Sequence, residues 1–285
     1  MSRYKESLLR WAGGKYHALS RIIPLINPRK NSCEIFCGSA VITLNLPLLR
    51  RSKSEAIVDI NSQISNFFRV IRDKPDEYME RMKYTFSGDD WVEELEAQSD
   101  DVSRAMCFYL KNRNSFAGFG DFATREGIVY SFGNNPIIKD VTWWAERLRN
   151  VRIYRLDFRD ALKRVNGLDT DWVLILDPPY PKAGKKGERM YCGETENGKE
   201  DLGFTEKDTR DLCKLLHESH HEIFLTYPDK PLIRDLYSDW HIREARWHYH
   251  AAPGEKKNTK TELFLSNRPF KKYSVNKVSF DKWSE

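Results

Sequence analysis

Apolar and polar positions alternate in blocks along the chain, and the blocks predict strands and helices in turn. Short apolar runs end at a glycine or an acid. Ser32–Phe36 runs into Cys37-Gly38, Glu55–Val58 into Asp59, Val151–Leu156 into Asp157, and Trp172–Leu176 into Asp177. Runs of this length, rich in Val, Ile and Leu, read as buried strands. Between them apolar residues fall at helical spacing, as in Ile64, Phe67, Phe68 and Ile71, in Ala161–Val165, and in Leu212, Leu215 and Leu216. Leu19, Ile22, Ile23 and Ile26 form a further amphipathic stretch after the turn signal Gly13-Gly14. The chain closes with a strand at Glu222–Tyr227, a helix at Pro231–Tyr237, and a pair of strands at Trp240–His250 and Thr261–Asn267. Strand–helix alternation of this kind predicts an α/β fold.

The texture changes after Lys74-Pro75 and returns near residue 150. Helical periodicity appears at Tyr78–Phe86 and Val102–Leu110, separated by an acidic interval. Asn112-Arg113-Asn114-Ser115-Phe116 then opens a glycine- and aromatic-rich segment that runs through Arg125 to Phe132. A loop and a β-hairpin are expected there. Aromatics interleaved with Arg and Asn suit nucleic-acid backbone and bases. The alternative is a hairpin whose aromatics pack beneath it.

Composition narrows the setting. A chain of 285 residues, 40% hydrophobic, has material for one or two domains with a sizeable core. A net charge of +5 and a pI near 8.8 permit a polyanionic partner without demanding one. The five cysteines are odd in number with no C-x-x-C, the start lacks a signal-peptide core, and no apolar run approaches a membrane span. A cytoplasmic protein with reduced thiols, monomeric and apart from membranes, is expected. His217, His220 and His221 lack a cysteine or acid at ligand spacing and are read as a surface cluster; no metal is expected.

The chemistry concentrates at Asp177-Pro178-Pro179-Tyr180. Neither proline can donate to a ladder, so the buried strand stops there as a stiff tip. That tip holds a carboxylate, carbonyls and an aromatic ring where ligands bind in open α/β sheets. An exocyclic amine offers two N–H donors. A carboxylate and a carbonyl can accept both and favour a pyramidal, nucleophilic nitrogen, while the tyrosine stacks on the base. The bland reading is a proline turn with Asp177 as a cap. Asp59 stands about 20 residues past the glycine turn, the separation at which an acid grips ribose hydroxyls. It or Asn61 could equally cap the following helix. After Tyr180 comes a basic loop containing Lys185 and Lys186, whose lysines could meet phosphates.

These pieces together resemble the Dam-type, or D12 class, DNA adenine-N6 methyltransferases. Arg10-Trp11-Ala12-Gly13-Gly14-Lys15 is similar to the family's W-x-G-G-K motif. Glu34–Ala40 is similar to its E-P-F-x-G-x-G, with Ile35 for the proline and Ala40 for the last glycine. Asp59-Ile60-Asn61 matches D-x-N, Asp157-Phe158 its D-F, and Asp177–Tyr180 its D-P-P-Y. Asn114–Gly118 resembles the N-x-F-N-G start of its DNA-reading hairpin, with Ala117 for an asparagine. The resemblance implies a Rossmann-like class I methyltransferase sheet, mostly parallel, at residues 1–72 and 150–285. It implies a mainly helical target-recognition insert with a hairpin at residues 73–149. It also implies S-adenosylmethionine as methyl donor and duplex DNA as partner. Asp177, Pro178 and Tyr180 would be catalytic, and Trp11, Lys15, Phe36, Gly38, Asp59, Asp157, Phe158 and Asp177 would line the cofactor. Lys15 would meet the methionine carboxylate. Arg113, Asn114, Phe116, Arg125, Lys185 and Lys186 would meet DNA. Two other readings stay open: an adenine methyltransferase acting on structured RNA, and an inactive DNA-binding relative.

Overall fold

A computed structural model describes residues 4–11, 13–46, 54–84, 97, 99–114, 140–180, 192–195, 198–201, 203–248 and 259–273. Strands β1 (Asn31–Ile35), β2 (Glu55–Asp59), β3 (Val151–Arg155), β4 (Trp172–Leu176), β7 (Glu222–Pro228), β8 (His241–His248) and β9 (Thr259–Ser266) form one sheet. A separate antiparallel pair, β5 (Cys192–Thr195) and β6 (Gly198–Asp201), lies in the polar segment after Tyr180. The large sheet has the order β3-β2-β1-β4-β7-β9-β8. Its first five strands pair in parallel, and β9 runs antiparallel between β7 and β8. The strand order reverses at β1, the topological switch point where open α/β sheets bind ligands. The expected α/β architecture is therefore observed, with all five expected parallel strands in place.

Register brings the functional tips level. Ile35 pairs with Val58 on one side and Leu176 on the other, and Leu176 pairs with Leu225. The residues that follow, Phe36, Asp59, Asp177 and Thr226, therefore emerge along one edge. Side-chain parity sorts them further. In β4, Leu174 and Leu176 face a core lined by helices α7 (Phe158–Asn166) and α8 (Glu206–His217), while Val173 and Ile175 face the opposite side. Asp177 continues the second set. Phe224 in β7 and Phe264 in β9 belong to that same side, which gives Thr226 and Glu262 the same orientation.

That second side is covered by the stretch after Gly14. It forms a 3-10 turn, helix α1 (Leu19–Ile22) and another 3-10 turn, with Leu19, Ile22, Ile23 and Ile26 all buried. The amphipathic pattern is as expected, but Pro24 lacks the N–H that would continue the α-helix. Farther along the sheet, α2 (Val41–Asn45), α3 (Ser62–Asp73), α4 (Pro75–Tyr84), α5 (Asp101–Asn114) and α6 (Thr142–Leu148) follow in chain order. Tyr78, Met82, Val102, Ala105, Met106 and Tyr109 of α4 and α5 share one core with Ile64, Phe67, Phe68 and Ile71 of α3 and with Ile57 and Ile153 of the sheet. Helix α9 (Pro231–Leu236) leads into β8. Arg147 of α6 ties the sheet to α2: its guanidinium grips Glu55 at 2.6 and 3.0 Å and donates to the Leu44 carbonyl at 3.3 Å, all three groups being buried.

His221 departs from expectation. It is fully buried and its Nε2 pairs with the Val165 carbonyl at 2.8 Å, so it locks α7 to β7 instead of lying on the surface. Among the described residues no cluster of His, Cys, Asp or Glu could hold a metal, and no helix is long and apolar enough to cross a membrane.

Candidate active site

The strand tip after β4 carries Asp177, and two groups hold its carboxylate. Thr226 Oγ1 donates to Oδ1 at 2.6 Å. Lys15 Nζ meets Oδ2 at 2.7 Å. Lys15 is 2% exposed, and it also donates to the Gly13 carbonyl at 2.9 Å and to the Tyr180 hydroxyl at 3.3 Å. Its fourth neighbour is Glu262 Oε2 at 3.5 Å, while Glu262 Oε1 accepts from Tyr180 at 3.3 Å. Lys15 thereby lies against the strand tip that carries Asp177. Lys15 also lies 5.8 Å from the Tyr180 ring centroid, and Tyr180 packs beside Tyr227 at 6.4 Å. Pro178 is buried. Asp177 itself keeps a quarter of its side chain exposed, 26%, so one face of the carboxylate remains accessible.

The loop that delivers Lys15 is built from its two glycines. Gly14 N–H donates back to the Trp11 carbonyl at 3.0 Å, closing a turn in which Gly13 has φ +75°. That backbone conformation is open to glycine and strained for other residues. Upstream, Asn112 near the end of α5 holds the Arg10 backbone in both directions. Its Oδ1 accepts from Arg10 N and its Nδ2 donates to Arg10 O, each at 2.8 Å. The Arg10 guanidinium donates to the Arg113 carbonyl at 3.1 Å, and burial beside the Arg113 charge lowers its pKa.

The turn after β1 is the second part of the site. Gly38 has φ +47°, and a Cβ added there would stand 2.5 Å from Trp11 Nε1. The indole therefore covers the bare face of Gly38. Ala40, where the family pattern has glycine, takes a left-handed φ of +51° as the N-cap of α2. Phe36 is also left-handed at φ +62°. Its ring meets Phe158 at 5.5 Å and Phe204 at 5.6 Å, and those two are 5.8 Å apart. Three aromatic rings thus gather between the tips of β1 and β3.

Asp59 binds the turn to β2. One oxygen accepts from Gly38 N at 2.9 Å and the other from Asn61 N at 3.0 Å. Burial raises its pKa, against the pull of those N–H groups. The cap of α3 is Asn61, whose side chain accepts from Gln63 N, so of the two cap candidates Asn61 takes that role. Asp157 caps α7 by accepting from Arg159 N at 2.8 Å. Arg159 lies 4.3 Å over the Phe158 ring and bonds Asp211 at 2.8 Å. Behind the turn, Glu34 is buried and accepts from Thr43 N at 2.7 Å at the start of α2. Its pKa is pushed up to about 7, chiefly by burial, with Asp177 adding to the rise.

A model of the D12 class N6 adenine-specific DNA methyltransferases matches residues 11–251. The chain belongs to that family. It is similar to the DNA adenine methylase of Vibrio cholerae, 24% identical over 250 residues that cover 82% of this chain and 85% of the relative. It is equally similar to the DNA adenine methylase of Escherichia coli K12, 24% identical over 278 residues, 91% of this chain and 95% of the relative. The Haemophilus influenzae DNA adenine methylase is 23% identical over 275 residues, covering 90% and 92%.

Of the site residues expected from sequence, this methyltransferase brings Lys15, Asp177 and Tyr180 into direct contact. It sets Trp11 on Gly38, Gly38 on Asp59, and Phe36 on Phe158. Arg113 is half-buried on α5, and Asn114 closes that helix. Phe116, Arg125, Lys185 and Lys186 lie outside the described residues. Two residues went unnoticed in the sequence, Thr226 and Glu262. The signal for Glu262 was present: an acid heads the apolar run Leu263-Phe264-Leu265 inside a strand.

Proposed function

We propose that this chain transfers a methyl group from S-adenosylmethionine to N6 of an adenine flipped out of duplex DNA. The observation that carries the reading is the Asp177 carboxylate, held by Thr226 at 2.6 Å and Lys15 at 2.7 Å at the end of a buried strand, with the Tyr180 ring beside it. A carboxylate fixed at both oxygens cannot swing away from its ligand. Asp177 accepts one N–H of the adenine amine and the Pro178 carbonyl accepts the other. Both contacts draw the nitrogen lone pair out of the ring. Tyr180 stacks on the base. An amine buried in the duplex cannot reach such a tip, so the base must leave the stack.

The residues present fit S-adenosylmethionine. Its sulfonium is cationic, and the tip places Asp177 and Glu262 around a single ammonium. Phe36, Phe158 and Phe204 offer apolar faces, Asp59 stands by the Gly38 turn for the ribose, and Trp11 packs over that turn. When bound, this donor supplies a methyl on sulfur, which leaves as a neutral thioether while N6 takes the methyl and releases a proton to water. Positioning and electrostatics then carry the rate.

Residues 73–149 form the target-recognition insert in this reading, with Arg113 and the segment Asn114 to Arg125, including Phe116, facing DNA. Arg10 and Arg113 place two guanidinium groups at the end of α5, where that segment begins. Lys185 and Lys186, in the basic segment after Tyr180, would meet phosphates. The test is transfer of a labelled methyl to duplex DNA, single strands and structured RNA, with Asp177→Ala in parallel. Label is expected in duplex adenine, and Asp177→Ala should lose it. Retention of more than about a tenth of the rate, a loss under ~1.4 kcal/mol, overturns the role of Asp177. Preferential labelling of RNA overturns the substrate.

A further inference from the structure

Two helices begin at the aromatic cluster. Phe158 is the first residue of α7, and Phe204 directly precedes Thr205, the cap of α8. Both rings meet Phe36. One side chain, Arg159, joins the two helix starts. One guanidinium nitrogen stands 3.4 Å from each oxygen of Asp157, the cap of α7. Another reaches Asp208 and Asp211 of α8, the second at 2.8 Å. Asp208 also closes the capping box with Thr205, so the guanidinium is tied to the residue that follows Phe204. The same group lies 4.3 Å over the Phe158 ring. Arg159 is 37% and Asp157 34% exposed, a setting in which ion pairs contribute little to stability.

We propose that Arg159 is a positioning residue that fixes the Asp157 carboxylate as acceptor for the 6-amino group of the methyl donor's adenine, and so sets the choice of nucleobase. The inference rests on reading this as an S-adenosylmethionine site with Asp157 at the base. Asp157 Oδ1 takes the Arg159 backbone N–H at 2.8 Å, whereas Oδ2 receives the guanidinium at 3.4 Å. The cap bond by itself lets the carboxylate turn about Oδ1. The guanidinium, anchored on α8 and on the Phe158 ring, holds Oδ2 in place and keeps the group ionised. An ionised carboxylate accepts without donating, so it favours a base that presents N–H at this point.

The test compares S-adenosylhomocysteine with its analogue carrying hydrogen in place of the 6-amino group, by calorimetry on the full chain. Wild type should bind the amino ligand about thirtyfold more tightly, as loss of a charge-assisted hydrogen bond implies. Arg159→Met keeps the capping N–H and an apolar stem over Phe158 but removes the guanidinium. It should cut the ratio to about threefold, with the deamino ligand moving less than about twofold. Asp157→Ser keeps a capping oxygen and should bring the ratio near one. If Arg159→Met weakens both ligands alike, Arg159 is merely a brace between helices and the proposal is overturned. If Asp157→Ser loses the preference while Arg159→Met keeps it, only the role of Arg159 falls. If wild type shows no preference, or Asp157→Ser retains it, the role of Asp157 falls and that of Arg159 with it. If wild type binds neither ligand, the reading of the site as one for S-adenosylmethionine falls.

Discussion

Glu34 sets a pH dependence that can be worked out from its surroundings. The side chain is 5% exposed, behind the glycine turn, and its pKa rises from 4.5 to about 7. Burial is the main cause, the Asp177 charge adds to it, and N–H groups at the start of α2 act against it. An acid with a raised folded-state pKa favours the folded protein while protonated. Its contribution is therefore complete below pH 4.5 and is lost as the pH climbs through about 7. One unit corresponds to about 1.4 kcal/mol, so ionising Glu34 costs the fold on the order of 1 kcal/mol at pH 5 and about 3 kcal/mol at pH 8. Glu34→Gln removes this term. Asp59 is raised too and stays in both proteins, so the comparison isolates Glu34. Urea unfolding of wild type and Glu34→Gln at the two pH values should show the variant gaining about 2 kcal/mol relative to wild type on going from pH 5 to pH 8. The amide loses one acceptor for the α2 N–H groups, which shifts both pH values alike and leaves the difference untouched. A gain below about 1 kcal/mol would refute the account.

Other substitutions probe the supports of the site. Gly38→Ala sets a Cβ 2.5 Å from Trp11 Nε1 in a left-handed backbone; it should cost about 1–2 kcal/mol in strain alone and displace the indole, read as weaker S-adenosylmethionine binding and a shifted tryptophan emission. Unchanged binding and emission would show that Trp11 does not depend on the bare glycine. Arg147→Met strands the buried Glu55 carboxylate and should cost about 3–5 kcal/mol in thermal unfolding, with Glu55→Gln in the same chain restoring much of it. Asn112→Ala removes both bonds to the Arg10 backbone; hydrogen exchange should report faster opening of the Arg10 amide, by about 1–3 kcal/mol, with the α3 amides unaffected.

The parallel strands were legible because each is a buried apolar run closed by a polar tip, a pattern that survives without any knowledge of neighbours. Phe158 shows the usual blur at an end: α7 starts there, three residues ahead of the periodic Ala161, because Asp157 supplies the cap. The roles inside the site were harder. Asp59 and Asn61 were both plausible caps, and only register decided between them, since Gly38 N–H lies opposite the tip of β2 and claims Asp59. Lys15 meets Asp177, 162 residues away in the chain, a contact that spacing does not show. His221 looked like one member of a polar trio, yet its ring is buried against α7. Spacing along the chain carries local structure; it does not carry which distant oxygen an ammonium will choose.

The placement of β9 has a consequence for the chain as it is made. Residue 262 comes from the last strand of the sheet in sequence order, and that strand is inserted between β7 and the earlier-made β8. During synthesis the glycine turns, the aromatic rings and the Asp177 tip all emerge before it. Until β9 slides into its slot, Lys15 and Tyr180 lack one of their oxygen partners and β7 presents an open edge. This pairing cannot form until β9 has been made. A nascent or truncated chain ending before β9 would carry every sequence motif of the family while lacking a finished centre, and it would expose an unpaired strand prone to association. Completion of the C-terminal hairpin thus acts as the step that commits the polypeptide to its working state.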